Sequence, residues 1–341
     1  MKVGMELIDL YLDKRYGELY ENIENGICEI FEYKNSLGTV RHMFIQRNIP
    51  ESINGQVYYD IVTPYGYGGP VISECSLENR KQLVREFGKA FAQYCREEKI
   101  VSEFIRFHPL LDNAEDFKEV YDVRYMRPTV GTNLLAFEDP VAVEFSKTTR
   151  KNIRRAIKEG VTYRVIENPK NLDAFKDIYF TTMKRKNADE YYFFDNEYFE
   201  GLLENFGDRL LLTEAQYEGY TIGMTLTFKY KKRLHTHLSG GDEKFHHFYP
   251  AYIMHYATVR WGKENGYHLL HSGGGLSNSL DDSLYLFKKQ FGKHTKFSFH
   301  IGRKVWDREI YSALCDATNA DYESNFFPAY RNKALKTVGS V

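Results

Sequence analysis

Residues 233–292 read RLHTHLSGGDEKFHHFYPAYIMHYATVRWGKENGYHLLHSGGGLSNSLDDSLYLFKKQFG. A strand-like run, Leu234–Leu238, ends in Ser239-Gly240-Gly241. The next segment carries Pro250 where a helix would begin and Gly266 where it would stop, the favoured places for both residues. Tyr267–His271 is a second short strand. Ser272-Gly273-Gly274-Gly275 then turns into a last helix that leads to Phe287-Lys288-Lys289-Gln290-Phe291-Gly292. Two parallel strands joined through a helix must splay if a ligand is to enter between them. Glycines at the strand ends permit sharp turns and a close approach of ligand to backbone.

Working outward, a basic helix runs from Ser146 to Gly160, followed by a strand at Val161–Ile166. Helices are expected near Leu172–Arg185 and Glu197–Phe206, and strands at Arg209–Ala215 and Thr221–Tyr230. Leu280, Leu284, Phe287 and Phe291 suggest the buried stripe of a long last helix before a strand at Thr295–His300 and a helical tail. The first half reads similarly. A helix near Leu7–Tyr20 precedes strands at Ile27–Tyr33, Thr39–Gln46 and Gln56–Val62, then the turn Pro64-Tyr65-Gly66-Tyr67-Gly68-Gly69-Pro70. Leu83, Phe87, Ala90, Phe91 and Tyr94 fall on one helical stripe. A strand at Ile100–Phe107, a short acidic helix near Asp112–Tyr121 and a strand at Thr129–Phe137 close the half. Both halves thus end strand, glycine loop, helix, strand, helix, strand. The expected organisation is two fused mixed α/β domains of one kind, 1–145 and 146–341, the second carrying the helical tail.

Composition bounds the function. A length of 341 residues suits two domains of ~150 each. Hydrophobic residues at 43% and charged ones at 27% are enough for an ordinary core. A net charge of -1 gives no global field toward nucleic acid or acidic lipid, so DNA is not an expected partner. Cys28, Cys75, Cys95 and Cys315 are far apart with no paired spacing, which predicts free thiols in a reducing cytoplasm. No signal-like leader and no run of ~20 apolar residues is present, so no integral membrane segment is expected.

The segments Arg150-Lys151-Asn152-Ile153-Arg154-Arg155-Ala156, Tyr179-Phe180-Thr181-Thr182-Met183, Leu238-Ser239-Gly240-Gly241, Gly273–Gly275 and Phe287-Lys288…Phe291-Gly292 carry a resemblance. Their order is similar to the GNAT (acyl-CoA N-acyltransferase) fold. Two such domains in tandem resemble the FemAB family of peptidoglycan aminoacyltransferases. The resemblance implies amide formation on an amine of a peptidoglycan, cell-envelope or sugar-nucleotide precursor, by direct attack and without a tightly bound cofactor. The acceptor is then a small-molecule or lipid- or nucleotide-linked amine, and the donor is either aminoacyl-tRNA or acyl-CoA. Acetyl-CoA enzymes of this fold bare backbone amides in a glycine-rich loop before the central helix. Here that place reads Asp242-Glu243-Lys244-Phe245-His246-His247-Phe248-Tyr249-Pro250, with no glycine and two acids. Two other readings stay open: an acyl-CoA-dependent N-acetyltransferase on a small amine or amino sugar, and a non-catalytic metabolite-binding module.

Acyl transfer needs an amine that loses a proton, donors for the developing oxyanion, and a proton for the leaving group. The resemblance points to Lys288, near the end of its helix, as the ammonium that steadies the oxyanion or a phosphate. His235, His237 and Ser239 alternate and so share a strand face, with no acid spaced to complete a metal site. His237 or His271 is a candidate proton acceptor. Arg150 and Arg154 are four residues apart, a spacing suited to a diphosphate or carboxylate. Tyr192 and Phe194 are candidates to wall the acceptor pocket. Tyr65, Tyr67, Arg106 and His108, at a loop and a strand end, are candidates for the acceptor's polar part. Ser239, Tyr249, Gly274 and Phe287 complete the expected substrate-binding set. Core packing, for the aromatic residues, and a solvated basic face, for the arginines, are the competing readings.

Overall fold

The computed structural model describes residues 8–322 and 324–332. In chain order the elements of the first part are α1 (Lys14–Glu18), α2 (Glu21–Glu24), β1 (Gly26–Asn35), β2 (Gly38–Asn48), β3 (Tyr59–Val62), β4 (Val71–Ser73), α3 (Arg80–Glu97), β5 (Ile100–Arg106) and α4 (Asn113–Asp116). Then follow β6 (Asp122–Asn133), α5 (Pro140–Glu144), α6 (Lys147–Lys158), β7 (Thr162–Glu167), α7 (Asp173–Arg185), α8 (Asn196–Phe206), β8 (Leu210–Tyr217), β9 (Tyr220–Tyr230) and β10 (Arg233–Gly241). The last are α9 (Pro250–Glu264), β11 (Leu269–Gly273), α10 (Ser283–Lys289), β12 (Lys296–Val305) and α11 (Arg308–Thr318).

The chain forms two compact units, residues 1–126 with 299–341, and residues 127–298. They part at a different place from the expected cut at 145/146. β6 begins at Asp122, seven positions ahead of the expected Thr129, and the division falls inside it and inside β12. The physical reason is a long-range ladder. Ile301–Val305 of β12 pairs antiparallel with Ser102–Arg106 of β5, so the chain's end belongs to the first unit.

In the first unit β1, β2 and β3 form an antiparallel meander, β4 also lies on β2, and β3 pairs parallel with β5. The crossover is α3, whose Leu83, Val84, Phe87, Phe91 and Cys95 are buried against Phe44, Ile105 and Phe107. Each large apolar side chain there contributes ~2–3 kcal/mol by leaving water. The expected first helix is broken into a 3-10 turn at Leu10–Leu12, α1 and α2; Asp9 and Asp13 accept backbone N–H groups at the first two starts. Leu7 lies outside the described residues.

The second unit repeats the plan. β7, β8, β9 and β10 form an antiparallel meander, α9 crosses over, and β11 pairs parallel with β10 and antiparallel with β6. The buried residues of α9 are Pro250 at its start, Ile253, Met254, Ala257, Thr258, Val259 and Gly262. Ser146 caps α6 by accepting from Thr149 N at 3.1 Å. One expectation fails: the last helix is only seven residues long and Leu280 is 63% exposed. Asp282 stops the helix from extending backward, because its carboxylate accepts from the Tyr285, Leu276 and Ser277 amides and folds 276–282 into a loop.

Candidate functional site

β10 and β11 pair over three residues only: Arg233 with Leu269, Leu234 with Leu270, and His235 with His271. Both strands then bulge, between Thr236 and Leu238 and between His271 and Gly273. Beyond the bulges β10 follows β9 alone and β11 follows β6 alone, so the strands diverge and leave a wedge. The first unit has no equal opening, since β3 and β5 stay paired to Val62 and Phe104 and Gly68 still bridges to Phe107. The bulge also ends the simple alternation expected for His235, His237 and Ser239, because one added residue reverses the faces that follow.

Lys288 stands at this wedge. Its Nζ donates to the carbonyl oxygen of Gly274, just past the end of β11, at 2.7 Å. The half-buried ammonium is lowered to about 8, first by burial and then by Arg127, with Asp282 opposing and Lys186 adding to the shift. At neutral pH the group remains mostly protonated while holding its proton more loosely than an ordinary lysine. Arg127 donates from Nη1 to Leu276 O at 2.9 Å, which fixes it beside the same loop. His255 of α9 lies near Lys288, tilted on Phe291 at 4.2 Å, and burial lowers it to about 3. It is therefore a neutral ring at physiological pH.

Close approaches set this geometry. A Cβ at Gly292 would run into Gly131 O, so Gly292 lets β6 lie against the end of α10. Gly240 lies so near α7 that a Cβ would sit 2.7 Å from Ile178 O. Thr182 then ties α7 to β10 by accepting from Gly241 N at 2.9 Å while donating to Ile178 O at 2.7 Å.

The other expected residues are distributed as follows. Gly274, Phe287 and Lys288 are brought together; Phe287 packs on Tyr252 at 5.4 Å and on Phe291 at 5.1 Å. His237 Nε2 pairs with Tyr198 Oη at 2.6 Å, and burial lowers its pKa to about 3, a poor match for a proton acceptor. His271 is buried and pairs with Thr129 Oγ1 at 2.9 Å. Each of the two histidines is thus engaged by a neighbouring hydroxyl group. Ser239 is exposed and hydrogen-bonded to Thr225 Oγ1 at 3.0 Å. Tyr249 takes a left-handed conformation as the residue before α9, and Phe194 is buried in a stack on Tyr198 at 4.3 Å. Tyr192 is held through its carbonyl, which accepts from Tyr179 Oη at 2.9 Å. Arg150 is engaged structurally: its Nη1 donates to Ala142 O at 2.8 Å and to Phe145 O at 2.5 Å, closing the end of α5. Arg154, on the same helix, points to solvent.

The first-unit candidates gather differently. Tyr67 contacts His108 at 5.6 Å and Tyr11 at 5.5 Å, and His108 faces Asp9 at 3.4 Å. Tyr65 lies by Tyr20, and Arg106 donates to Thr63 O at 3.0 Å. Among the described residues no group of three or more His, Cys, Asp and Glu side chains is arranged to hold a metal, and no helix is long and apolar enough to cross a membrane. Arg127, Lys186 and His255 had no local sequence signal; each is 33 or more residues from Lys288 and is recognisable only through the fold.

Comparison with known proteins agrees with this architecture. A family model described as an acetyltransferase (GNAT) domain matches residues 144–279. The chain is 28% identical over 173 residues to a UDP-N-acetylmuramoylpentapeptide-lysine N(6)-alanyltransferase of Weissella viridescens, covering 50% of each chain. It thus spans about half the length of that curated relative. The crystal structure of FemX superposes with a TM-score of 0.66 at 12% identity, over 89% of this chain and 94% of that one. The C-terminal domain of a putative lysylphosphatidylglycerol synthetase from Agrobacterium fabrum superposes with a TM-score of 0.55 at 17% identity, over 90% and 93%. Likeness at these identities establishes the fold.

Proposed function

From the premise that the chain is FemAB-like, a mixed α/β protein with tandem GNAT-type units, we propose that it is an acyltransferase of the aminoacyl type. It forms an amide on an amine of a peptidoglycan precursor or a related cell-envelope or sugar-nucleotide precursor, by direct attack on the donor's carbonyl. The observation that carries the reading is the wedge past His235 and His271 with the Lys288 ammonium at its mouth. In the reaction the acceptor nitrogen forms the new C–N bond and loses a proton, and the ester C–O bond of the donor breaks. The Lys288 ammonium is suited to steady the oxyanion between those steps, and its lowered pKa suits it to give the leaving oxygen a proton, which the proton shed by the nitrogen through solvent replaces.

Aminoacyl-tRNA is favoured over acyl-CoA as donor. The segment ahead of α9 is a 3-10 turn, Glu243–Phe248, whose amides are already engaged. Lys244 N donates to the Asp242 carboxylate at 2.9 Å, Phe245 N to Asp242 O at 3.3 Å, and Tyr249 N to His246 O at 3.0 Å. Pro250 has no N–H to offer, and Asp242 and Glu243 repel a diphosphate. The test is a transfer assay on the purified chain with labelled aminoacyl-tRNAs and with acetyl-CoA, against a UDP-linked muropeptide. Amide product from an aminoacyl-tRNA is expected. Product from acetyl-CoA alone would replace the donor assignment, and none from any donor would remove the activity.

A further inference from the structure

The first unit holds a cavity of about 340 Å³ that plays no part in the wedge. Its lining includes Arg124, Arg303 and Arg308 together with Tyr311, Tyr322 and Phe327, and the Arg303 guanidinium lies over the Phe327 ring at 5.6 Å. Its charge is lopsided. Arg124 is matched by Asp122 at 2.7 Å, and Lys304 stands over Trp306. Arg303 gives one nitrogen to Asn325 O at 2.6 Å, yet its buried Nε has no partner among the described residues. Burial and Arg124 lower the Arg303 pKa, with Asp122 and Tyr311 acting the other way. Arg308, at the first position of α11, is exposed and forms no ion pair among the described residues. The cavity therefore collects three guanidinium groups and one lysine against one carboxylate. A desolvated guanidinium with a free N–H has an unmet demand for an anion.

The rest of the lining is largely aromatic. Tyr311 meets Tyr322 edge-on at 5.1 Å and stacks with Phe327 at 5.9 Å, and Tyr322 remains 41% exposed. Phe327 is covered by Arg303, so the exposed Tyr322 ring is the one suited to stack on a base while its phosphate reaches the arginines. A volume near 340 Å³ matches a small ligand of that kind.

We propose that this cavity binds a nucleoside phosphate unit, with the phosphate on Arg303 and Arg308 and the base against Tyr322. The unit is either a free nucleotide or the terminal nucleotide of an RNA. The test is calorimetric titration of the full chain with AMP, adenosine, inorganic phosphate and a short 5′-phosphorylated RNA. AMP should bind more tightly than adenosine or phosphate, and Arg303→Gln with Arg308→Ala should weaken it at least tenfold. Tyr322→Ala should weaken AMP but leave phosphate unchanged. Tighter binding of the RNA than of AMP supports the site with RNA as source; the reverse supports a free nucleotide. Equal AMP binding by wild type and the double arginine variant overturns the proposal, provided the variant melts as wild type does. Loss of AMP binding in Lys288→Met, with the arginine variant unaffected, would also overturn it.

Discussion

At the residue scale the account turns on a lysine held out of bulk water. Lys288 reaches Gly274 O, and burial beside Arg127 lowers it to about 8 from its ordinary value of 10.5. The protonated form is needed for the oxyanion, so transfer should decline as pH rises through about 8, against the gain from a more deprotonated amine acceptor. In Lys288→Arg, whose cation does not titrate, that basic limb should disappear; a pH–rate profile from 6 to 10 checks it. The same shift has a consequence for stability. The native state resists protonation here more than the unfolded chain does, so between about 8 and 10.5 the unfolded chain keeps a proton that the native state gives up. Stability from this group therefore rises with pH across that window. Lys288→Met should be at least as stable as wild type at pH 7, and its advantage should shrink by pH 10 in thermal melts. Gly292 makes a second residue-scale case. Gly292→Ala places a Cβ against Gly131 O, and a cost of about 1–3 kcal/mol is expected in urea denaturation.

At the element scale the wedge is made by two bulges and by the packing of α7 against β10. Gly240 and Thr182 hold that packing, through the approach to Ile178 O and the Gly241 N–H. Thr182→Val removes the hydroxyl but keeps the shape. It should cost about 1–2 kcal/mol and weaken acceptor binding, read as a raised KM. Much at this scale was legible from local chemistry: Pro250 and Gly266 bracket α9, and the apolar stripe from Leu83 to Phe91 marks α3. Other features were not. A bulge is a property of a strand pair, so no pattern within residues 233–241 announces that the faces reverse after Thr236. Leu280 matched the helical period by coincidence, while Asp282 two residues on carried the stronger local signal, a cap. Arg150 was rightly placed on a helix, but its Nη1 donates to the carbonyl groups of Ala142 and Phe145 at the end of α5, which spacing cannot reveal.

At the scale of the whole molecule, duplication was legible as a repeated order of elements, and the place where the units part was not. The deciding contact is the ladder between Ile301–Val305 and Ser102–Arg106, some two hundred residues apart in sequence. It is reinforced by Tyr330 Oη, which pairs with Ser102 Oγ at 2.7 Å and donates to Asp60 at 3.1 Å, and by the Ala329 N–H on Tyr311 Oη at 2.9 Å. Truncation after residue 298 should therefore unfold the first unit, although the cut is made at the other end of the chain. Limited proteolysis with mass mapping checks it: cleavage should appear within residues 1–126. The central claim is that the wedge and its ammonium transfer an aminoacyl group to an amine. Its most direct test is the mass of a muropeptide precursor after single-turnover incubation with aminoacyl-tRNA. Wild type is predicted to add the mass of one aminoacyl residue, and Lys288→Met, folded and melting normally, to accumulate that product at least a hundredfold more slowly. An equal gain of mass by both proteins would contradict the account.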